Sequence, residues 1–502
     1  MKKHEKGLSA WQLTMMALGS VIGGSFFLGS AVAIQAAGPA IVLSYILGGI
    51  LIYFILFALS EMTVANPDSG SFYTFTAQIF GPGAGFVVGW VYWTGMVLAM
   101  SSEATAASIL IREWYPSLTI SIVGSVIIII VTLVNLLGAD KLSKLESSLS
   151  IIKIFAVVAF IILALLLIIG LIGGKGAIGT GELSREPLMP GGIKSIAGSM
   201  LIVIFSYAGF EIIGLAASEA KDPNKTIPTA ITYTVFSLVG LYIISSIALL
   251  PLIPTAELSE KVSPMVAALS RWGMDWASTI INFILVTAIL STMLASMFGL
   301  GRMMRSVADE GHAPKWLKDR NDVPYRGIIF SGIAMLLGLG LGFLFPSVYL
   351  FLISSAGFAT LLTYAAIMAT HIRFRRCNGC PPKGNCQMPG YPITSWIALI
   401  SIIVIIISMP FISGQTSGLI AGVIMTVLFA MIYLIMKFMG KKEDNKVVRG
   451  YNNNEYRASF SHEFSEELTQ NNKINRKSKT EQNAQNTASC PCNKKDMNNK
   501  NN

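Results

Sequence analysis

The chain has 502 residues, of which 53% are hydrophobic and 13% charged. Soluble domains carry roughly 25% charged residues, and so little charge cannot cover the surface of a soluble protein of this size. Mean hydropathy is +0.62. A soluble enzyme is excluded, and so is a single-span receptor, because apolar runs recur from Trp11 to Met439. The net charge of +10 comes from 37 Lys and Arg against 27 Asp and Glu. The basic residues lie between apolar runs and in the C-terminal tail, so membrane topology accounts for them better than nucleic acid does. Five cysteines, an odd number, argue against a disulfide framework.

A hydrocarbon core roughly 30 Å thick takes about 20 helical residues to cross. Twelve stretches meet that length: 11–36, 39–64, 83–110, 118–138, 148–172, 194–218, 228–252, 274–300, 327–345, 347–371, 391–411 and 414–438. The start, MKKHEKGLSA, has no short apolar region with a cleavage site, so the first run reads as a retained span. Residues 66–80 and 256–272 are too polar or too short to span. They read as a loop with a short interfacial helix and as an external arm. Pro228 reads as the start of the seventh span. The expected fold class is an all-α integral membrane protein with twelve transmembrane helices.

Orientation follows the distribution of positive charge. With residues 1–10 in the cytoplasm, 30 of the 37 Lys and Arg fall on cytoplasmic segments and 6 on external ones, while Lys153 lies within the fifth span. Both termini are therefore expected to be cytoplasmic. Residues 440–502 are rich in Asn, Lys, Gln and Ser, a composition expected to form a disordered tail.

Two spans contain residues unsuited to a continuous membrane helix. The first reads Gly19-Ser20-Val21-Ile22-Gly23-Gly24-Ser25-Phe26-Phe27-Leu28-Gly29, and the sixth reads Ile204-Phe205-Ser206-Tyr207-Ala208-Gly209-Phe210-Glu211. Glycines destabilise helices and permit unwinding. Unwound backbone at membrane depth is tolerated only where it is packed by protein or lines a cavity. The exposed N–H groups of one half-helix suit a carboxylate, and the exposed carbonyls of the other suit an ammonium. The alternative is that these glycines serve close helix packing. A matched pair of interrupted spans, five apart, instead points to inverted repeats of about 11–172 and 194–371 around a transporter site, with 391–438 outside them. Paired ligands for an anion and a cation suit a zwitterion, meaning an amino acid.

At these residues the chain resembles the amino acid–polyamine–organocation superfamily, and within it the bacterial amino acid permeases, over residues 8 to about 438. The first span resembles the family's G-x-x-I-G-[ST]-G-x-F. The stretch FSYAGFEIIGLAASEAKDPNKTIPTAI (Phe205–Ile231) resembles its sixth-span motif, and Gly301–Ile328 resembles the basic loop that follows its eighth span. The resemblance implies a leucine-transporter-type fold, a 5+5 inverted repeat with helices 1 and 6 broken and substrate between them. It implies that backbone at Gly23, Gly24 and Ser25 receives the substrate carboxylate. It implies that carbonyls near Val21, Phe205 and Ser206 receive the amine, that Phe205 closes over the substrate and that Ala208 lines the side-chain pocket, with Ile22 and Gly209 also among the substrate-binding residues. Two departures stand out. The hydroxyl of Gly24-Ser25 is displaced by one position from the family order, and Met293-Leu294-Ala295 replaces a more polar triplet.

Charges within spans are expensive and point to function. Lys153, near the cytoplasmic end of span 5, reads either as a snorkelling side chain or as a proton-coupling group, the role the resemblance implies for a lysine at this place, with Ser291 as its partner. Glu211 reads as a proton-linked gate or as a cap on the second half of span 6. Glu103 in span 3 reads as a coupling carboxylate or as a hydrogen-bonded packing residue. Glu61, Glu219 and Asp222 sit at cytoplasmic span ends and read as gate or loop ion-pair residues. Cys377, Cys380 and Cys386, with Cys490 and Cys492 in the tail, read as reduced thiols or as a metal or redox site.

The expected function is secondary amino acid transport, proton-coupled symport into the cell by alternating access, with an exchanger of the same fold as the alternative. The chain carries no G-x-x-x-x-G-K-[ST] nucleotide loop, and neither an enzyme nor a cofactor is expected. Expected partners are an amino acid, a proton and the lipid bilayer, with no nucleic acid, in a monomer or homodimer at a bacterial inner membrane.

Overall fold

The computed structural model describes residues 9–65, 72–137, 139–172, 176–211, 213, 222–309, 311–319, 323–379, 388–412 and 414–440. Among these residues the fold is helical throughout, with no strand. The tail at 440–502 therefore falls almost wholly outside the described residues, as do Cys380, Cys386 and Glu219.

Nine helices among the described residues are long and apolar enough to cross a bilayer. Three expected spans fall short of that test for separate reasons. The first is divided into Ala10–Val21, Gly24–Phe27 and Gly29–Ala37. The fourth, Ile120–Asn135, and the sixth, Ile193–Ser206, are apolar helices of 16 and 14 residues. The loop before span 3 carries the helix Phe72–Phe80, and the arm after span 7 carries Pro264–Arg271. Pro228 does not begin its span. The helix starts at Pro223, whose missing N–H belongs to the unsatisfied first turn, and Pro228 lies inside it.

Three long helices frame the centre. Pro82–Ile111 packs along both Asp275–Asp309 and Val348–Asn378. Trp93 fixes the first of these to Tyr325–Gly342: its ring stacks on Phe330 at 5.0 Å and its Nε1 donates to Ser331 Oγ at 3.1 Å. The broken first span and Ile193–Ser206 run side by side against this frame.

The last span, Thr416–Gly440, reaches the bundle through Gly418 and Gly422, four residues apart on one face. A Cβ at Gly418 would meet Ser354 backbone at 2.7 Å, and one at Gly422 would clash with the Phe358 ring. Small residues at this spacing let helices approach closely where lipid supplies no hydrophobic drive between them. Gly422→Val should lower the melting temperature in detergent by about 5 °C. Gly240→Ala, where a Cβ meets nothing within 4 Å, should leave it unchanged.

Candidate functional site

The first span starts on a capping box, in which Ser9 Oγ accepts from Gln12 N and Ser9 N donates to Gln12 Oε1. Its helix runs to Val21, and Ile22 and Gly23 are extended. A helix end leaves its last carbonyls and its first N–H groups without intrahelical partners. Here both sets arise among buried residues, so the protein itself must supply their partners.

The protein's own side chains satisfy them. Lys153 Nζ donates to Gly19 O at 2.6 Å and to Thr292 Oγ1 at 2.7 Å. Thr292 Oγ1 donates onward to Ile22 O at 3.1 Å. On the other side of the break, Gly24 N donates to Glu103 Oε2 at 2.6 Å and Ser25 N donates to Glu103 Oε1 at 3.2 Å. One carboxylate thus straddles the two leading N–H groups of the half-helix Gly24–Phe27. The positive end of the helix dipole favours an anion there. Tyr349 OH donates to Gly24 O at 3.2 Å.

Glycine is required for this approach. A Cβ at Gly24 would lie 2.8 Å from Glu103 Oε2 and 3.1 Å from Ala106 Cβ. A hydroxyl residue followed by glycine, the family order, would put its side chain where the carboxylate sits. Gly24-Ser25 places the small residue against Glu103 and uses the serine through its backbone.

The second break follows Ser206, where the helix gives way to a turn at 207–211. Gly209 holds φ at +108°, a conformation in which an L side chain is strained. Glu211 folds back on this turn, its Oε2 accepting from Gly209 N at 2.8 Å and its Oε1 from Tyr364 OH at 2.7 Å. Tyr242 OH donates to Ser206 O at 3.0 Å while its ring stacks on Phe26 at 3.9 Å. The two breaks touch, since Ser20 Oγ donates to Gly209 O at 2.9 Å.

Val21, Ile22, Gly23, Gly24, Ser25, Phe205, Ser206, Ala208 and Gly209 are therefore brought to one place, and all but Ala208 and Gly209 are buried. Lys153 does not snorkel: it is 0% exposed and turned inward to the first break. Its hydroxyl partner is Thr292 rather than Ser291. Successive helical residues point about 100° apart, and the Ser291 hydroxyl finds no partner among the described residues. Glu103 is buried and hydrogen-bonded, its partners being the two N–H groups of the break. Glu211 serves the turn at Gly209, and the second half of span 6 lies mostly outside the described residues. Cys377 is half-buried near the end of Val348–Asn378, and no group of three or more potential metal ligands occurs among the described residues.

Sequence reasoning missed Thr292, Tyr242, Tyr349 and Tyr364. A signal existed: a buried tyrosine in a span needs an acceptor for its hydroxyl, and a broken helix offers them.

This arrangement can be compared with known proteins. A family model described as amino acid permease matches residues 12–447. The chain belongs to the amino acid permease family. It is 32% identical to a probable threonine/serine transporter of Bacillus subtilis over 444 residues, covering 86% of this chain and 95% of the relative. It is 30% identical to a gamma-aminobutyric acid permease of the same organism, with 86% and 94% covered. It is 30% identical to an aromatic amino acid transport protein of Escherichia coli K12, with 89% and 98% covered. The family is described as a permease family and these relatives are named as transporters or permeases rather than enzymes, which supports amino acid transport by this chain.

Gly24→Ala should displace Glu103 from the break and reduce amino acid uptake by more than about tenfold. Ser25→Ala retains the donating N–H and should keep uptake within about twofold. Uptake into cells at matched membrane abundance checks both.

Proposed function

We propose that the chain carries an amino acid across a bacterial inner membrane by alternating access, in symport with a proton. In this reading it has twelve spans over residues 11–438, arranged as a 5+5 inverted repeat with both termini cytoplasmic. Spans 11 and 12 stand outside the repeats. The relatives' substrates vary in side chain but share an amine and a carboxylate. The amine goes to carbonyls at Val21, Ile22, Phe205 and Ser206, and the carboxylate goes to the N–H groups of Gly24 and Ser25.

The observation that carries the coupling is Glu103 on those same two N–H groups. Substrate carboxylate and Glu103 carboxylate cannot occupy them together. Two unit charges 4 Å apart repel by about 4 kcal/mol at an effective dielectric constant near 20. Protonating Glu103 removes that repulsion and releases the N–H groups. A proton therefore enters with each amino acid.

Lys153 holds the other side of the break. Its ammonium draws the first half-helix, through Gly19 O, toward span 8 at Thr292. Without that ammonium a charge-assisted pair of hydrogen bonds is lost, and the inner half of span 1 is free to swing away. Glu211, clamped by Tyr364, keeps the second break in register.

The test is uptake into proteoliposomes with and without an inward proton gradient. Wild type should accumulate amino acid against its gradient. Glu103→Gln, neutral and still able to hydrogen-bond, should lose accumulation but keep counterflow, and Lys153→Ala should do the same. Accumulation by either variant equal to wild type removes that residue from the coupling. Wild-type uptake driven only by internal amino acid identifies an exchanger.

A further inference from the structure

A second buried ionisable cluster lies away from the breaks and has no part in the site above. Glu61, near the end of the helix Ile41–Ala65, is fully buried, and so is His371 on Val348–Asn378. His371 Nε2 lies 2.6 Å from Glu61 Oε2. With Glu61 ionised its carboxylate only accepts, and that ring nitrogen then carries the hydrogen. Glu61 Oε1 accepts from Met388 N at 2.7 Å, and Arg375 Nε stands 3.6 Å from Oε2.

The surroundings fix each member in place. His371 Nδ1 faces Ser395 Oγ at 3.4 Å, at the start of span 11, and the Tyr391 ring meets the imidazole edge-on. Arg375 lies over the Tyr391 ring at 4.6 Å. The neighbouring charges on the same helix turn elsewhere: Arg373 lies over Phe80 and Arg376 over Trp396. From the helix Phe72–Phe80, Thr76 meets Thr370 through their hydroxyls at 3.2 Å.

A buried charge is tolerated only when paired, and a charged group inside a span is a functional hypothesis by default. This pair joins span 2 to span 10. Span 10 also carries Tyr349, on the carbonyl of Gly24, and Tyr364, on Glu211 at the second break. One rigid helix thus touches the first break, the second break and Glu61 in turn.

We propose that Glu61, His371 and Arg375 form a latch between spans 2 and 10 that holds the inner side closed, making them positioning residues for transport. The inference rests on alternating access but not on proton coupling. With the latch intact the inward-closed arrangement is favoured, and both breaks are held by the tyrosines of span 10. With it broken, span 10 separates from span 2 and the inward-open arrangement gains population.

The experiment is sided kinetics of purified full-length protein in oriented proteoliposomes, using the labelled amino acid that wild type transports best. For Glu61→Gln and His371→Gln, the external KM should rise by about fivefold or more and the internal KM should fall, while the maximal rate stays within about twofold. The double variant, whose two amides can pair, should recover part of the shift. Arg375→Gln, at the longest contact of the three, should shift both constants the same way by a smaller factor. If all variants leave both KM values at wild type, whether or not the maximal rate falls, the cluster is structural only and the latch is overturned. Wild-type protein that exchanges without proton-driven accumulation overturns the symport reading but leaves this comparison intact.

Discussion

A helix broken inside a bilayer must find partners for the backbone groups it exposes. Each unsatisfied group there costs several kcal/mol, so a break survives only if the rest of the protein is arranged around it. Here two breaks lie against each other through Ser20 and Gly209, and the surrounding spans deliver their polar side chains to that point. Span 3 sends Glu103, span 5 Lys153, span 7 Tyr242, span 8 Thr292, and span 10 Tyr349 and Tyr364. Packing around these six is mainly apolar, the Glu61–His371 cluster standing apart from them.

The partners chosen have a consequence for binding. A carboxylate on free N–H groups and an ammonium on a free carbonyl are the contacts an amino acid itself would make. Glu103 and Lys153 together occupy the break as an internal counterpart of a zwitterion. In the proposed binding mode, a ligand exchanges with groups already present rather than filling a void. In the proposed symport, that exchange links binding to protonation, because the group displaced is titratable.

Much of this was legible from residue type alone. Adjacent glycines in an apolar run marked Gly23-Gly24, a glycine followed closely by an acid marked Gly209 and Glu211, and a lone cation in a span marked Lys153. What could not be read was which groups meet. Glu103 reaches Gly24 across 79 residues, and His371 reaches Glu61 across 310. The choice of Thr292 over Ser291 turns on one helical step of rotation, finer than span boundaries read from hydropathy. Pro228 misled because Pro223, five residues earlier, already supplies the proline of the first turn. The order Gly24-Ser25, displaced by one position from the family's, has its reason in the fold: the glycine makes room for the carboxylate of Glu103.

The central claim is that amino acid and ionised Glu103 exclude each other from the N–H groups of Gly24 and Ser25. Counting protons on binding tests it most directly. Calorimetry of the purified protein with a transported amino acid, repeated in buffers of different ionisation enthalpy, yields the number of protons taken up. The account predicts about one proton per amino acid bound by wild type, and none for Glu103→Gln with binding retained. Tight binding by wild type with no proton uptake, at a pH where Glu103 is ionised, would contradict it.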